Sequence, residues 1–208
     1  MNILEIFYNE ITQTVLEMQK LGETSFELRK SSLHGFLGIS IQDTRTLLVG
    51  MQNILANYLG KPRVELNLVI PENMKSDNDF LSAMKSVHRY FFISILTSLD
   101  AAAEKICKES LHLKRRGERA FIKVLSKLKS QDQTKWKFFY DGLKIIRNEC
   151  AHPSLRDIHE KQVEKLNNAG LGFLIIEGKL GISCSKYLPV SKKAYECITA
   201  LKSITIAP

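Results

Sequence analysis

The sequence predicts a mostly α-helical bundle with a small β-hairpin near its C-terminus. Apolar residues recur at steps of three and four over most of the chain, as they do along the buried face of an amphipathic helix. Two short apolar runs near the C-terminus flank a glycine, a pattern typical of a hairpin. Hydrophobic residues make up 44% of the 208 residues and charged residues 25%, as in an ordinary globular domain.

The first 79 residues predict two helices and two less regular segments. Residues 2–20 carry apolar residues near a 3.6-residue period, and the sequence LGETS follows as the expected stop. Residues 29–40 (RKSSLHGFLGIS) are rich in serine and glycine and are predicted as a loop. The second helix is expected at 42–60, between an Asp-Thr cap and a final glycine. Residues 61–79 begin like a short strand and break at a proline into a polar linker.

The rest of the chain predicts the main part of the bundle. The longest helical signal runs from Phe80 to about Ser110 and is apolar on more than one face, which predicts a central helix covered on several sides. A basic segment with its own apolar stripe follows. The remaining predicted elements are a helix at 135–151, a short helix at 157–168, a hairpin at 171–187 centred on Gly178-Lys179-Leu180, and a helix at 191–204.

A chain of this length suits one large domain or one domain with an appendage. We therefore expect a domain at 80–208. Residues 1–79 are an N-terminal helical segment that is either an appendage or part of the same fold.

Several protein classes are disfavoured by composition. The N-terminus has two early glutamates and no basic region, so it is not expected to be a signal peptide, and no apolar run approaches the ~18 residues of a membrane span. We expect a cytoplasmic protein with no membrane partner. No metal and no cofactor are expected. The four cysteines are scattered without a C-x-x-C spacing, so neither a zinc site nor a disulfide framework is expected. They are Cys107, Cys150, Cys184 and Cys197.

The net charge of +8 is concentrated in one part of the chain. Between Lys105 and Lys137 stand eleven basic residues and three acidic ones, whereas the rest of the chain holds 19 of each. A local positive field of this kind attracts polyanions and speeds their arrival. We expect the densest part of the cluster to bind a polyanion. It consists of Lys114, Arg115, Arg116 and Arg119.

The helix predicted at 135–151 ends in the sequence RNECAH. Arg147, Asn148 and His152 therefore stand together where Pro153 disfavours further helical geometry. The helix dipole at a C-terminus favours the imidazolium form of histidine. A fixed guanidinium beside a titrating imidazole suits phosphodiester chemistry, because one group stabilises the phosphorane charge while the other moves a proton.

This motif resembles that of the HEPN superfamily, whose catalytic members carry Arg-x(4–6)-His, commonly with a polar residue after the arginine. The helix SVHRYFFISILTSLDAAAEKICKES resembles the first core helix of that family, which often carries acidic residues midway. Asp100 and Glu104 occupy this place, one turn apart, as supporting residues. The resemblance covers about Phe80 to the C-terminus, and residues 1–79 have no counterpart in it.

The resemblance implies a HEPN-like bundle and a metal-independent endoribonuclease of the toxin or antiviral-defence type. Such an enzyme cleaves single-stranded RNA. The 2′-OH attacks the adjacent phosphate and leaves a 2′,3′-cyclic phosphate and a 5′-OH, so DNA, which lacks this hydroxyl, is not cleaved. His152 is expected as general acid or base, Arg147 as stabiliser of the phosphorane, and Asn148 as a residue that orients the substrate or its partners. The basic residues expected to bind the RNA backbone are Lys114, Arg115, Arg116 and Arg119. The family also implies a homodimer, with an antitoxin or regulatory protein as a further partner.

Two other interpretations stay open. A non-catalytic HEPN-like module would bind RNA, a nucleotide or a protein partner through the same surface. An unrelated helical DNA-binding protein would need a basic recognition helix, and the glycine within LKRRGERAF argues against one.

Other candidate site residues are weaker. Arg29 and His34 repeat the Arg-x4-His spacing, but a lysine follows the arginine and no apolar helix precedes it. We expect His159 at the surface and His88 in packing or solvent. Cys150 and Tyr140 lie on the apolar face of their helix and are expected in the core.

Overall fold

The computed structural model describes residues 3–30, 33–64, 77–151 and 158–205. These residues form seven α-helices and one two-stranded antiparallel hairpin, which confirms the predicted fold class. In chain order the elements are α1 (Ile3–Lys30), α2 (Gly35–Leu59), α3 (Asp77–Glu109), α4 (Gly117–Leu125), α5 (Ser130–Ala151), α6 (Glu160–Asn168), β1 (Leu174–Ile176), β2 (Lys179–Gly181) and α7 (Tyr187–Lys202). Single 3₁₀ turns stand at Cys184–Lys186 and Ser203–Thr205.

Helix α3 is the centre of the molecule, as its sequence predicts. It packs against α2, α4, α5 and α7. Its long apolar stripe is buried from Phe80 to Ile106, and Phe92, Leu96 and Ala103 on other faces are buried as well. One apolar core includes side chains from all seven helices, so α1 and α2 share the core of the residues that follow them.

The N-terminal helices are longer than the sequence predicts. Helix α1 continues through LGETS to Lys30, so the expected stop is wrong. Its one glycine there lowers helix stability by only about 1 kcal/mol, and the segment has no proline to break the backbone hydrogen bonds. The sequence predicts that Ile3, Ile6, Phe7, Val15 and Met18 form the buried stripe of α1. Val15 and Met18 are fully buried, but Ile3 is 53% exposed, and Leu4 and Ile11 are buried at the start of the helix instead.

Helix α2 begins at Gly35, so the predicted loop is helical from this residue onward. Ser40, one of the residues that favoured a loop, instead forms hydrogen bonds inside the helix bundle. Ser40 Oγ donates to the Phe36 carbonyl (2.9 Å) and lies 3.0 Å from Ser98 Oγ of α3. The expected cap is also wrong, because Thr44 is buried within the helix and its hydroxyl donates to the Ser40 carbonyl (2.7 Å).

The hairpin near the C-terminus is confirmed, with its turn nearer the N-terminus than predicted. Ile176 pairs with Lys179 and Ile175 with Leu180, so two residues of the predicted turn belong to β2. The connection is Glu177-Gly178, whose φ angles are +49° and +72°. Positive φ at both central residues defines a type I′ turn, whose twist matches that of the paired strands.

The remaining boundaries differ from the predictions in small ways. The strand-like segment at 61–71 lies mostly outside the described residues, and 61–64 form no strand. Helix α7 begins at Tyr187 rather than 191, with Pro189 in its first turn, where a missing N–H removes no helical hydrogen bond. Within the described parts of the chain, no helix is long and apolar enough to cross a bilayer.

Candidate active site and basic groove

Arg147 lies in the last turns of α5 with its side chain half-buried. Its Nε and Nη2 both donate to Oδ1 of Asn148, at 3.1 and 2.8 Å. The residue after the arginine therefore orients the guanidinium while it is itself exposed. His152, the third residue of the predicted catalytic set, lies outside the described residues.

Asp100 of α3 is joined to α5 by a hydrogen bond from Tyr140. The phenol donates to Oδ1 of Asp100 at 2.7 Å. The Tyr140 ring stacks on Phe121 of α4, with centroids 4.1 Å apart and planes inclined by 14°. Tyr140 is buried, as expected. Its hydroxyl and its ring also connect α5 with α3 and α4 around the candidate site.

The surroundings of Asp100 raise the pKa of its carboxyl. Burial is the main cause, and the negative charges of Glu104 and Glu118 add to it. The Tyr140 hydrogen bond and the positive charge of Arg147 act in the opposite direction. Arg147 and Asp100 thus interact electrostatically, although no hydrogen bond joins them in the described part of the chain.

Glu104, one turn after Asp100, contacts α4 rather than α5. Its Oε1 accepts a 2.7 Å hydrogen bond from the backbone N–H of Gly117, the first residue of α4. Gly117 has φ +51°, a conformation that glycine adopts at little cost. Glu104 therefore caps α4 from outside that helix. The glycine in LKRRGERAF begins a helix rather than interrupting one.

The four predicted RNA-binding residues line one side of a groove of about 1630 Å³. The groove lies between the C-terminal half of α3, the loop that follows it, and α4. We call this surface the basic groove. Its basic lining residues are Lys105, Lys108, Lys114, Arg115, Arg116, Arg119 and Lys123, and its acidic ones are Glu104, Glu109 and Glu118.

Arg147 is not among the residues that line the basic groove, but neighbouring residues of α3 and α5 are connected to the lining. Glu118 lines the groove and forms an ion pair with Lys144 (2.7 Å), which precedes Arg147 by one turn of α5. Glu104 likewise lines the groove and stands one turn from Asp100 on α3. Glu104 and Glu118, whose charges raise the pKa of Asp100, thus belong to the groove lining, whereas Arg147, whose charge lowers it, does not.

The other histidines and the cysteine of the motif have surroundings that suit structural roles. His88 Nδ1 lies 2.6 Å from the Tyr187 hydroxyl, and burial lowers the pKa of His88 to about 4. His159 is exposed just before α6, where its backbone N–H donates to Gln162 Oε1 at 3.1 Å. Burial raises the pKa of Cys150 to about 12, so this thiol is a poor nucleophile at neutral pH.

His34 of the second Arg-x4-His pair is also buried, with Nε2 3.2 Å from Thr199 Oγ1. The Arg29 side chain lies outside the described part of the chain. Among the described residues, no group of three His, Cys, Asp or Glu side chains could hold a metal ion.

Comparison with protein-family models, with curated proteins and with solved structures finds no match to this chain.

Three contributors to the site region have no clear signal in the sequence. Tyr140 looks like an ordinary core residue, and Glu118 like one charge among many. Phe36 lines the basic groove although it lies 69 residues before Lys105 in the chain. A pattern of local spacing does not report contacts formed by the packing of α2 and α5 on α3.

Proposed function

We propose that the protein is a metal-independent endoribonuclease of the HEPN type that cleaves single-stranded RNA. The observation that carries the proposal is the position of Arg147: its guanidinium is oriented by Asn148 at the end of α5, within electrostatic reach of Asp100 on α3. A positioned, partly exposed cation stabilises developing phosphorane charge better than a freely rotating one, because little reorganisation is needed during the reaction.

The proposed reaction is transesterification within the RNA chain. The 2′-OH loses its proton and attacks the adjacent phosphorus, and the bond to the 5′ oxygen breaks as that oxygen gains a proton. His152 moves one of these protons, and a second copy of His152 moves the other if the protein forms the homodimer that the motif implies. The products are a 2′,3′-cyclic phosphate and a 5′-OH. The role of His152 rests on the sequence motif.

A non-catalytic RNA-binding module is the second candidate, and one observation favours it. The basic groove, where RNA would be gathered, does not include Arg147. In the described residues two of the N–H groups of Arg147 are already directed at Asn148 rather than outward. A helical bundle with this arrangement could bind RNA through the groove and use Arg147 only to brace the end of α5.

An RNA-cleavage assay in excess EDTA distinguishes the two candidates. The wild type is compared with His152→Ala, Arg147→Ala and the exposed-histidine control His112→Ala. The nuclease proposal expects cleavage by the wild type and by the control, and a loss of at least about 100-fold in both motif variants, as is typical for removal of a general acid-base or an oxyanion stabiliser. RNA binding without cleavage by the wild type would favour the second candidate.

A further inference from the structure

We propose that the basic groove is a binding site for single-stranded nucleic acid in which a base stacks on the ring of Phe36. This site deepens the proposed function, on which it rests for the choice of RNA as the biological strand. It adds the contacts that would hold that strand and assigns a role to α2, which lies outside the part of the chain that resembles HEPN proteins.

The charges of the groove favour a polyanion. Its lining holds seven basic and three acidic side chains. Two of the acids are partly neutralised, Glu109 by Lys105 (3.8 Å) and Glu118 by Lys144 (2.7 Å). Six of the basic side chains have no carboxylate within 4 Å among the described residues. They are Lys108, Lys114, Arg115, Arg116, Arg119 and Lys123, and all are exposed.

Phe36 adds a flat apolar surface to this charged lining. It is 57% exposed in the first turn of α2, and it is the only aromatic ring among the described residues that line the groove. The contact of Ser40 with Ser98 holds the start of α2 against α3, and Phe36 lines the groove together with Ala101 and Lys105 of α3. An aromatic ring beside a row of cations is the combination that binds single strands, because the backbone follows the charges while a base stacks on the ring.

The shape and lining favour a single strand over other anions. At about 1630 Å³ the groove is larger than the ~300–1,000 Å³ of most small-molecule sites. A duplex keeps its bases stacked inside and offers only phosphates and groove edges to an exposed phenyl ring. A single strand presents both phosphates and base faces, which match the arginines and Phe36 respectively.

Binding to single-stranded DNA tests this site apart from the nuclease activity. A strand without 2′-OH groups binds through phosphates and bases but cannot undergo the proposed cleavage. Fluorescence anisotropy with a labelled oligothymidylate gives the Kd for the wild type and the variants, and circular dichroism confirms that each variant is folded. We expect Phe36→Ala to weaken binding about ten-fold and Phe36→Tyr to retain it.

An abasic strand of the same length isolates the stacking contact. It keeps the phosphates and lacks the bases, so Phe36→Ala should bind it as well as the wild type does. Tyr58→Ala is the matched aromatic control, because Tyr58 is 51% exposed on the same helix and does not line the groove. It should leave the Kd for oligothymidylate unchanged.

The charge contacts have a matched control in the same basic segment. Lys127 and Lys129 are exposed but do not line the groove, unlike Arg115 and Arg119. Replacing Arg115 and Arg119 by glutamine should make the plot of log affinity against log salt shallower by about 1.4, since each lost phosphate contact on a single strand contributes about 0.7 to the slope. The Lys127→Gln, Lys129→Gln protein should keep the wild-type slope.

Each outcome bears on one of the two proposals. Equal effects of Phe36→Ala on the normal and abasic strands, or equal slopes for the two double variants, would overturn the groove proposal. DNA binding that follows the expected pattern without any RNA cleavage supports the groove and counts against the nuclease. Cleavage of RNA that is unaffected by the Phe36 and arginine variants supports the nuclease and counts against the groove.

Discussion

The hydroxyl of Tyr140 donates a 2.7 Å hydrogen bond to Oδ1 of Asp100 and so joins α5 to α3 beside Arg147. The carboxylate is partly buried, and the Tyr140 hydrogen bond is one of the two interactions that lower its pKa against the effect of burial. This pair holds the helix that carries the motif against the central helix of the molecule.

Tyr140→Phe should therefore lower the free energy of unfolding by about 1–3 kcal/mol, because it leaves a partly buried carboxylate without its donor while the ring still stacks on Phe121. Tyr90→Phe is the matched control. Tyr90 donates to Asp43 at the exposed surface (3.0 Å), where the loss should stay within about 0.5 kcal/mol. Urea unfolding of both variants measures the difference, and equal losses would contradict a structural role for the Tyr140–Asp100 pair.

His88 should make stability depend on pH. Burial lowers its pKa to about 4 in the folded protein, opposed by the charge of Glu10, whereas an unfolded chain has a histidine pKa of about 6.5. Between these values the unfolded chain binds a proton that the folded chain does not. The free energy of unfolding therefore falls as the pH is lowered from 6.5 towards 4, by up to about 3 kcal/mol for this residue.

His88→Gln removes this contribution and can retain a hydrogen bond to Tyr187. Unfolding measured at several pH values should show a smaller loss on acidification for His88→Gln than for the wild type. Identical pH profiles for the wild type and His88→Gln would contradict the proposed neutral, buried imidazole.

Gly142 fixes the distance between α5 and α6. A Cβ at this position would lie 2.5 Å from the Cβ of Ala169, closer than two such atoms approach. Gly142→Ala should therefore destabilise the protein by about 1–3 kcal/mol. Gly50→Ala is the control: its Cβ meets no atom within 4 Å, so helix propensity should stabilise the protein by up to about 1 kcal/mol. Adding Ala169→Gly to Gly142→Ala should restore part of the loss.

Glu104 is expected to restrain polyanion binding while it caps α4. Glu104→Gln keeps an oxygen that accepts from the Gly117 N–H but removes a negative charge from the basic groove. Its stability should stay within about 1 kcal/mol of the wild type, while affinity for a single strand rises a few-fold at low salt. Glu104→Ala should gain affinity and also lose about 1 kcal/mol of stability. Unchanged affinity in both variants would contradict an effect of the Glu104 charge on strands bound in the basic groove.

The sequence predicts those features that depend on neighbouring residues. The steps of three and four from Phe80 to Ile106 identify α3 and its central place, since all of these positions are buried. The glycine-centred hairpin is also local. The start of α2 does not depend on neighbouring residues alone. Ser40 contacts Ser98, which lies 58 residues further along the chain, and this contact forms only when α2 packs on α3.

The same distinction applies to the site. The motif predicts an orienting role for Asn148, the next residue in the chain, and the Arg147 guanidinium donates to its Oδ1. By contrast, Asp100 and Glu104 looked equivalent in the sequence, one turn apart on one helix. The structure joins Asp100 to α5 and Glu104 to the start of α4, because α4 folds back onto α3 and presents the Gly117 N–H.

The most direct test of the proposed nuclease is end-group analysis of RNA incubated with the purified protein in EDTA. We expect fragments that carry a 2′,3′-cyclic phosphate and a 5′-OH, produced by the wild type and lost in Arg147→Ala. Replacing the 2′-OH by hydrogen at one cleaved position should abolish cutting there. Intact RNA, fragments with 5′-phosphates, or undiminished cleavage by Arg147→Ala would contradict the assignment of Arg147 to phosphodiester transesterification.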